Sequence, residues 1–310
     1  MISVVITTFH RAWALPYSLQ SLVKQNVSPN EVVIVLKPSN DKSETIIDKF
    51  SKKLPIKLVI QKEGFVADAV ALGLENASGD IILFMDDDAI ADMNFIAHYK
   101  NFFDKVRDAG GATGLTFKAY LRNGNLIKTQ QPFFYKPDVA RSVSYRAPLK
   151  IYEDYAGWIS KSGLTTTTRM VSGDIVLSAA LGGVNMGFRR EAIVGCPLSK
   201  LYSKSKKGFN YENLLAYWAR LRGFHTYKFV NPNGAPIVWH LVHEDSLTRK
   251  KTLKDEFWLS YDVFKNYFRY KKLGADVSFL GWIEASIAIL RKQTPARILA
   301  LLYTILNAQK

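Results

Sequence analysis

Short apolar runs alternate with amphipathic stretches through the first third of the chain. Ile2 to Thr7 reads as a strand, closed by the polar turn Thr8-Phe9-His10-Arg11. From Leu15 to Gln25 the period changes to that of a helix, with Leu15, Leu19, Leu22 and Val23 on one face. Val32 to Leu36 is a second strand, stopped by Lys37-Pro38-Ser39-Asn40-Asp41. A helix over Ser43 to Lys53, a strand over Ile56 to Ile60 and a helix over Ala67 to Asn76 follow. Ser78-Gly79-Asp80 then turns the chain into the strand Ile81 to Met85. These strands do not alternate with polar residues, as expected where both faces are covered, and strand–helix alternation of this kind predicts an α/β domain on a mainly parallel sheet. Such sheets bind ligands beyond the carboxyl ends of their strands. Thr7, Thr8, the turn ending at Asp41 and the residues after Met85 share that edge.

Asp86-Asp87-Asp88 end the fourth strand. Carboxylates packed together repel and raise one another's pKa. A divalent cation removes that cost, and hard oxygen ligands at this edge suit Mg²⁺ or Mn²⁺ holding phosphates. The alternative is a solvated acidic turn.

Composition adds a constraint on partners. The 310 residues are 48% apolar and 22% charged, as in ordinary globular chains, and 42 Lys plus Arg against 27 Asp plus Glu leave a net charge of +15. That excess favours anionic partners: nucleotides, nucleic acid or an acidic membrane surface. Zinc-finger spacing, an RNP-like aromatic motif and a helix-turn-helix pattern are all missing, which disfavours nucleic acid. The single Cys196 cannot close an intrachain disulfide. Met1 runs into the first strand without a basic leader, so the expectation is a cytoplasmic protein.

Four segments in order resemble family-2 glycosyltransferases of the GT-A fold. They are Val4-Val5-Ile6-Thr7-Thr8-Phe9 with Arg11, Ala77 to Asp88, Gly182-Gly183-Val184-Asn185-Met186-Gly187-Phe188-Arg189-Arg190-Glu191, and Tyr211-Glu212-Asn213 followed by Arg220, Gly223-Phe224, Pro232 and His240. The resemblance implies a nucleotide-sugar-binding half over 1–115 and an acceptor-side half over 116–245, with 246–310 as a C-terminal helical extension. It also implies a metal-dependent, inverting hexosyltransferase. Thr7, Thr8 and Arg11 would line the nucleotide pocket, and Asp86 and Asp87 would lie on the donor. Asp88 and His240 would hold Mn²⁺ or Mg²⁺ between the donor phosphates, Asp88 closing the family's Asp-x-Asp motif.

The chain departs from the family pattern in two places. Relatives usually carry a Glu-Asp pair where this chain has Glu212-Asn213, and an amide has no useful basicity. Glu212 is then the expected general base, with Asp174 as the runner-up. For Glu212 the structural alternative is a carboxylate complementing a helix dipole. Relatives also commonly have an acid directly after the second strand, where a uracil edge can be read. Here that position is Lys37, and Asp41 is the nearest carboxylate. UDP is the default donor nucleotide, with GDP the alternative. Asp68 is a further candidate facing the donor.

Between Phe117 and Arg169 the chain is rich in aromatics, among them Tyr120, Phe133, Phe134, Tyr135, Tyr145, Tyr152, Tyr155 and Trp158. These could stack on sugar rings, cover a lipid or form core. Thr165 to Thr168 reads as a polar loop or edge strand, and Ala109 to Gly114 as a turn into a strand. Beyond Ser246, Leu253, Phe257, Tyr261, Phe264 and Phe268 share a helix face. Arg249, Lys250, Lys251, Lys254, Lys265, Arg269, Lys271 and Lys272 surround it. Such a helix can lie on an anionic bilayer or pack on its own domain. The apolar segments Phe279–Leu290 and Ile298–Leu306 fall short of the ~20 residues a spanning helix needs. A peripheral membrane enzyme acting on a glycan or lipid-linked acceptor accounts for both charge and tail, and it could be oligomeric.

Two other function classes compete. One is a nucleotide-sugar-binding protein without catalysis, suggested by Asn213. The other is a sugar nucleotidyltransferase, disfavoured because the turn after the first strand, Thr8 to Arg11, has no glycine.

Overall fold

The computed structural model describes residues 1–133, 143–167, 172–243, 252–291 and 294–308. Phe134, Tyr135, Thr168, Arg169, Ser246, Arg249, Lys250 and Lys251 lie outside the described residues. The first part of the chain runs β1 (Ile2–Thr8), α1 (Leu15–Val23), β2 (Glu31–Leu36), α2 (Ser43–Ser51), β3 (Ile56–Ile60), α3 (Val66–Asn76), β4 (Ile81–Met85), β5 (Ala89–Ala91), α4 (Phe95–Lys105) and β6 (Ala109–Thr113). The next elements are β7 (Leu115–Arg122), β8 (Asn125–Pro132), β9 (Gly157–Ile159), β10 (Thr165–Thr167), β11 (Ile175–Leu177) and β12 (Asn185–Arg189). Then come α5 (Arg190–Ile193), α6 (Leu198–Leu201), α7 (Tyr211–Leu221), β13 (His225–Phe229) and β14 (Ile237–Leu241). The C-terminal helices are α8 (Leu253–Lys272), α9 (Phe279–Leu290) and α10 (Pro295–Leu306).

Eight strands form the main sheet in the order β11-β13-β6-β12-β4-β1-β2-β3. Pairing is parallel from β4 through β1 and β2 to β3, while β12 runs antiparallel between β4 and β6. The sheet is parallel in its first half and mixed beyond it. Successive side chains on a strand point to opposite faces. Val5, Val33, Val35, Ile82 and Phe84 accordingly meet Val70 and Leu74 of α3 and Leu214 and Leu215 of α7. Val4, Ile6, Val32, Ile34, Leu83 and Met85 meet α1 and α4 on the other face. Gly73 lets α3 press onto the sheet, since a Cβ there would lie 2.5 Å from Val5 Cγ1. β3 differs from the expectation of doubly covered strands, because it is the sheet's edge and leaves Leu58 and Ile60 exposed.

A second sheet, β5-β14-β7-β8, branches off directly after the Asp triplet. Ala109 to Thr113 is not a turn but the buried strand β6, whose small residues fit between β12 and β13. In the unmatched middle, Tyr152, Tyr155 and Trp158 are core residues rather than a sugar platform. Trp158 Nε1 donates to Arg146 O at 2.6 Å. Thr165–Thr167 pairs with β9 as a two-stranded ribbon.

α8 packs on its own domain. Tyr261, Phe264, Tyr267 and Tyr270 are buried, and so are two of the residues expected on its solvated basic side, Lys265 and Arg269. Arg269 Nη2 meets Asp262 Oδ1 at 2.7 Å, its Nε donates to Leu201 O, and its guanidinium lies 3.7 Å from the Tyr202 ring centroid. This enclosed ion pair ties α8 to the stretch before α7. Among the described residues, no helix is long and apolar enough to cross a membrane.

Candidate active site

The site forms where the two sheets part. All five residues of β4 are buried between β1 and β12, so the chain emerges at the carboxyl edge as Asp86. β5 then pairs with β14, setting His240 opposite Ala89, and Leu241 N donates to Asp88 O at 3.0 Å. Strand register therefore delivers His240 to the triplet although it lies 152 positions after Asp88 in sequence. His240 Nε2 lies 2.6 Å from Asp88 Oδ1 and 3.8 Å from Asp86 Oδ2. His243 Nε2 lies 2.7 Å from Asp88 Oδ2. Arg11, from the β1–α1 loop, places Nε 3.6 Å from both Asp87 Oδ1 and Asp88 Oδ2. Trp13 meets the His243 ring edge-on, and Phe133 packs against His240 with ring centroids 4.2 Å apart.

The charges are strongly coupled. Burial and then the neighbouring Asp88 push the Asp87 carboxyl well above its usual range. Asp86 is pushed up to about 6, by its enclosure and by Asp88 against the pull of His240 and Arg11. Its side chain remains 40% exposed through the cleft mouth, so enclosure acts less fully on it than on Asp87, which has 11%. Burial alone would raise Asp88 too. The two imidazoles more than offset it and hold that carboxyl below the ordinary range. Burial opposes a proton on His240, but Asp88, Asp86 and Asp87 together raise its pKa. In effect, the Arg11 guanidinium and the His240 imidazole both face the carboxylates whose repulsion they offset.

A divalent ion fits this arrangement. One donor atom each from Asp86, Asp88 and His240 lies within 4.8 Å of the others. Two carboxylates and an imidazole suit Mn²⁺ or Mg²⁺.

The other expected site residues divide between this cleft and its supports. Thr7 and Thr8 end β1 beside the triplet, with Thr8 buried. Asp41 accepts Ala12 N–H and Ser43 N–H, both at 3.0 Å, and so staples the β2–α2 loop to the β1–α1 loop. Asp68 accepts Phe65 N–H at 2.8 Å at the start of α3. Both of these carboxylates shape the pocket wall through backbone. Lys37 Nζ donates to Gly64 O at 2.6 Å and lies 4.9 Å from the Phe65 ring centroid.

On the other flank of β4, β12 pairs Asn185 with Met85, which sets the loop at Gly182–Val184 next to Asp86. Tyr211 faces the same place. A Cβ at Gly183 would lie 3.0 Å from its hydroxyl, and its phenol is raised by burial and then by Asp86 and Glu212. Glu212 is half-buried in the first turn of α7 and also acts, after burial, to raise Tyr270. Asn213 is buried, and its Oδ1 accepts Leu181 N–H at 3.0 Å. The structure does not bring Asp174 to the triplet. It is exposed beside the edge strand β11, accepts from Asn231 Nδ2 at 3.0 Å, and lies four strand positions from β4.

Sequence reasoning singled out neither His243 nor Trp13, and named Tyr211 only as part of the Tyr211-Glu212-Asn213 segment and Phe133 only among the aromatics of the middle stretch. His243 follows His240 by three residues and Tyr211 directly precedes Glu212, so proximity was the available signal. Trp13 reaches the site from the β1–α1 loop and carried none.

Comparison with known proteins places the fold and the family. A 101-residue stretch is 36% identical to chondroitin synthase of Pasteurella multocida (strain Pm70), covering 32% of this chain and 10% of that protein's length. TarS 1–349 of S. aureus, solved with UDP-GlcNAc, superposes with a TM-score of 0.55 at 17% identity, covering 97% of this chain and 79% of that one. The mannosyltransferase PcManGT from Pyrobaculum calidifontis, solved with GDP-Man and Mn²⁺, gives 0.55 at 14% identity, covering 98% and 74%. These structures share the GT-A fold with this chain. The profile of glycosyl transferase family 2 matches residues 3–159, just over half of the 310 residues, and the chain belongs to that family.

Proposed function

We propose that the protein transfers a sugar from a nucleotide-diphosphate donor, a UDP-sugar in preference to a GDP-sugar, to an acceptor hydroxyl with inversion. The observation that carries this reading is the convergence of Asp86, Asp88 and His240 donor atoms within 4.8 Å at the carboxyl edge of β4. Residues 1–115 bind the donor, residues 116–245 shape the acceptor side, and the acceptor is a glycan or a lipid-linked saccharide.

In this mechanism Asp88 and His240 hold the divalent ion, Mn²⁺ or Mg²⁺, with Asp86 beside them. When bound, the ion supplies positive charge against the diphosphate that leaves. Arg11, which spans Asp87 and Asp88, adds a second cation at the same edge. Thr7 and Thr8 present the end of β1 to the nucleotide. The acceptor oxygen forms its bond to the anomeric carbon as the carbon–oxygen bond to the diphosphate breaks. The hydroxyl proton passes to Glu212, because a free alcohol is a poor nucleophile at neutral pH. Glu212 is favoured over Asp174 because Tyr211 lies under the fields of both Asp86 and Glu212.

A second reading, donor binding without transfer, draws on Asn213. Its Oδ1 is already engaged by Leu181 N–H, so it offers no base. Transfer by wild type that Glu212→Gln loses separates the two.

Calorimetric titration of UDP and GDP, each with and without Mn²⁺, on wild type and Asp88→Ala tests the donor site. Metal-dependent binding of UDP, absent in Asp88→Ala, is the expected result. Failure of either nucleotide to bind under any condition would overturn the function.

A further inference from the structure

α9 and α10 each bury only one side. On α9, Phe279, Leu280, Ile283 and Ile287 are exposed, with Leu280 72% accessible. On α10, Ile298, Leu299, Leu302 and Ile305 are exposed, ending at Leu306, which is 80% accessible. Spacings of three and four put each set on one helix face. The faces adjoin across an open apolar cleft of 160 Å³ bordered by Trp282, Ile283, Ile287, Leu301 and Ile305. Monomeric proteins rarely leave so many large apolar side chains contiguous and uncovered.

Charge identifies what covers them. From Ala285 to Lys310 the chain has four basic residues, Arg291, Lys292, Arg297 and Lys310, and no acid, although Arg297 is buried and its charge is answered by Glu256 at 2.8 Å. Glu284, the acid on α9, accepts a hydrogen bond from Ser144 Oγ. At the far end of α10, Lys204, Lys265, Arg269 and Lys272 border one small cleft. Asp262 answers Arg269. Lys204 and Lys265 donate to Asn307, where α10 ends. Burial, and then Lys272, Arg269 and Lys204, pull the Lys265 ammonium down to about 8, so this corner is short of negative charge.

We propose that the α9–α10 face docks on an anionic lipid bilayer, with the apolar stripes in the acyl boundary and the cationic corner against phosphate headgroups. Each helix is 12 residues long, too short to span and suited to lying in the interface plane. A second copy of the chain is a poorer occupant, because a two-fold contact sets the same patch on itself and brings like charges together. This surface replaces α8, whose aromatic face is spent on the core. The proposal deepens the reading of a lipid-linked acceptor and rests on that reading only for the acceptor's lipid.

Flotation of the full chain with vesicles of phosphatidylcholine, with and without phosphatidylglycerol, tests it. Wild type is expected to float with the anionic vesicles alone. Leu299→Ser/Leu302→Ser changes two exposed side chains, and its partition is expected to fall about tenfold or more. Lys272→Glu/Arg291→Glu, also exposed, should lose the preference for phosphatidylglycerol. Absence of flotation, or equal flotation of the leucine variant, overturns the proposal. So does a solution dimer that the leucine variant dissolves, which would assign the face to a second copy. Mn²⁺-dependent nucleotide binding, measured on the same preparations, is expected to be unchanged in every variant. Its absence alongside intact flotation would overturn the glycosyl-transfer reading and leave the surface standing.

Discussion

The carboxylate of Asp88 is held from both sides by imidazoles: His240 Nε2 is 2.6 Å from one oxygen and His243 Nε2 is 2.7 Å from the other. This contact fixes the plane of the carboxylate that closes the Asp-x-Asp pair. In the proposed site His240 is the better placed ligand, since it also faces Asp86, and His243 would act by orienting Asp88. Removing a group that orients a ligand typically costs about 10–100-fold in metal affinity. His243→Ala is therefore expected to weaken Mn²⁺ binding by about that factor, read by calorimetry. His243→Gln, which keeps a donor, should recover part of it. An affinity unchanged in His243→Ala would reduce the contact to packing against Trp13.

Metal binding should also depend on pH, with a definite sign. Only proton-free imidazole and carboxylate ligate. His240 has its pKa raised, and Asp86 is pushed up to about 6, so both carry protons at higher pH than isolated side chains do. Binding must displace those protons, and affinity must fall as pH falls. Between about pH 8 and pH 5 affinity is expected to fall, by about tenfold per unit for each group once pH is below that group's own pKa, which for Asp86 begins near pH 6. Titrations in buffers of different ionisation enthalpy read the proton count directly. An affinity flat across that range would mean that His240 is not a ligand.

Asn213 separates architecture from chemistry in α7. It is 1% exposed, and its Oδ1 satisfies Leu181 N–H just ahead of the Gly182–Gly183 loop. Asn213→Ala leaves a buried N–H unpaired and should cost about 1–3 kcal/mol in urea unfolding. Asn213→Asp keeps an acceptor and should retain most of that stability. Glu212→Gln, by contrast, should lower transfer by about 10²–10⁴-fold with nucleotide affinity unchanged. A transfer rate equal to wild type in Glu212→Gln would remove Glu212 as the base.

What could be read from the chain follows the range of the interactions involved. Strands β1, β2 and β4 and helices α1 to α3 are specified by local apolar periodicity, and their boundaries lie within two residues of expectation. The Asp triplet was legible because three adjacent carboxylates after a buried strand oppose their own local electrostatics. His240 was legible only through the family pattern, since strand register, not spacing, brings it to Asp88. Ala109–Thr113 looked like a turn because glycine serves both turns and close-packed strands. α8 read as an amphipathic helix that either lies on a bilayer or packs on its own domain with all its cations in solvent, and the burial of Lys265 and Arg269 is what that pattern did not show. A one-dimensional pattern does not show that Asp262 lies ready to enclose Arg269.

That ion pair gives the most severe stability prediction. Asp262 is 0% and Arg269 1% exposed. Besides the 2.7 Å contact with Arg269, Asp262 Oδ2 accepts from Ser205 Oγ at 2.7 Å and from Phe209 N–H at 3.0 Å. These bonds join α8 to the loop that leads into Tyr211 and Glu212. Asp262→Ala would leave a guanidinium enclosed without its counter-charge, a loss of about 3–5 kcal/mol in comparable cases. Asp262→Asn keeps the acceptor for Ser205 and Phe209 but not the charge, and should fall between. Because the loop leads into α7, the loss should appear in acceptor-dependent transfer before it appears in nucleotide affinity. Urea denaturation paired with UDP titration checks both. Wild-type stability in Asp262→Ala would mean that α8 is not docked through this pair.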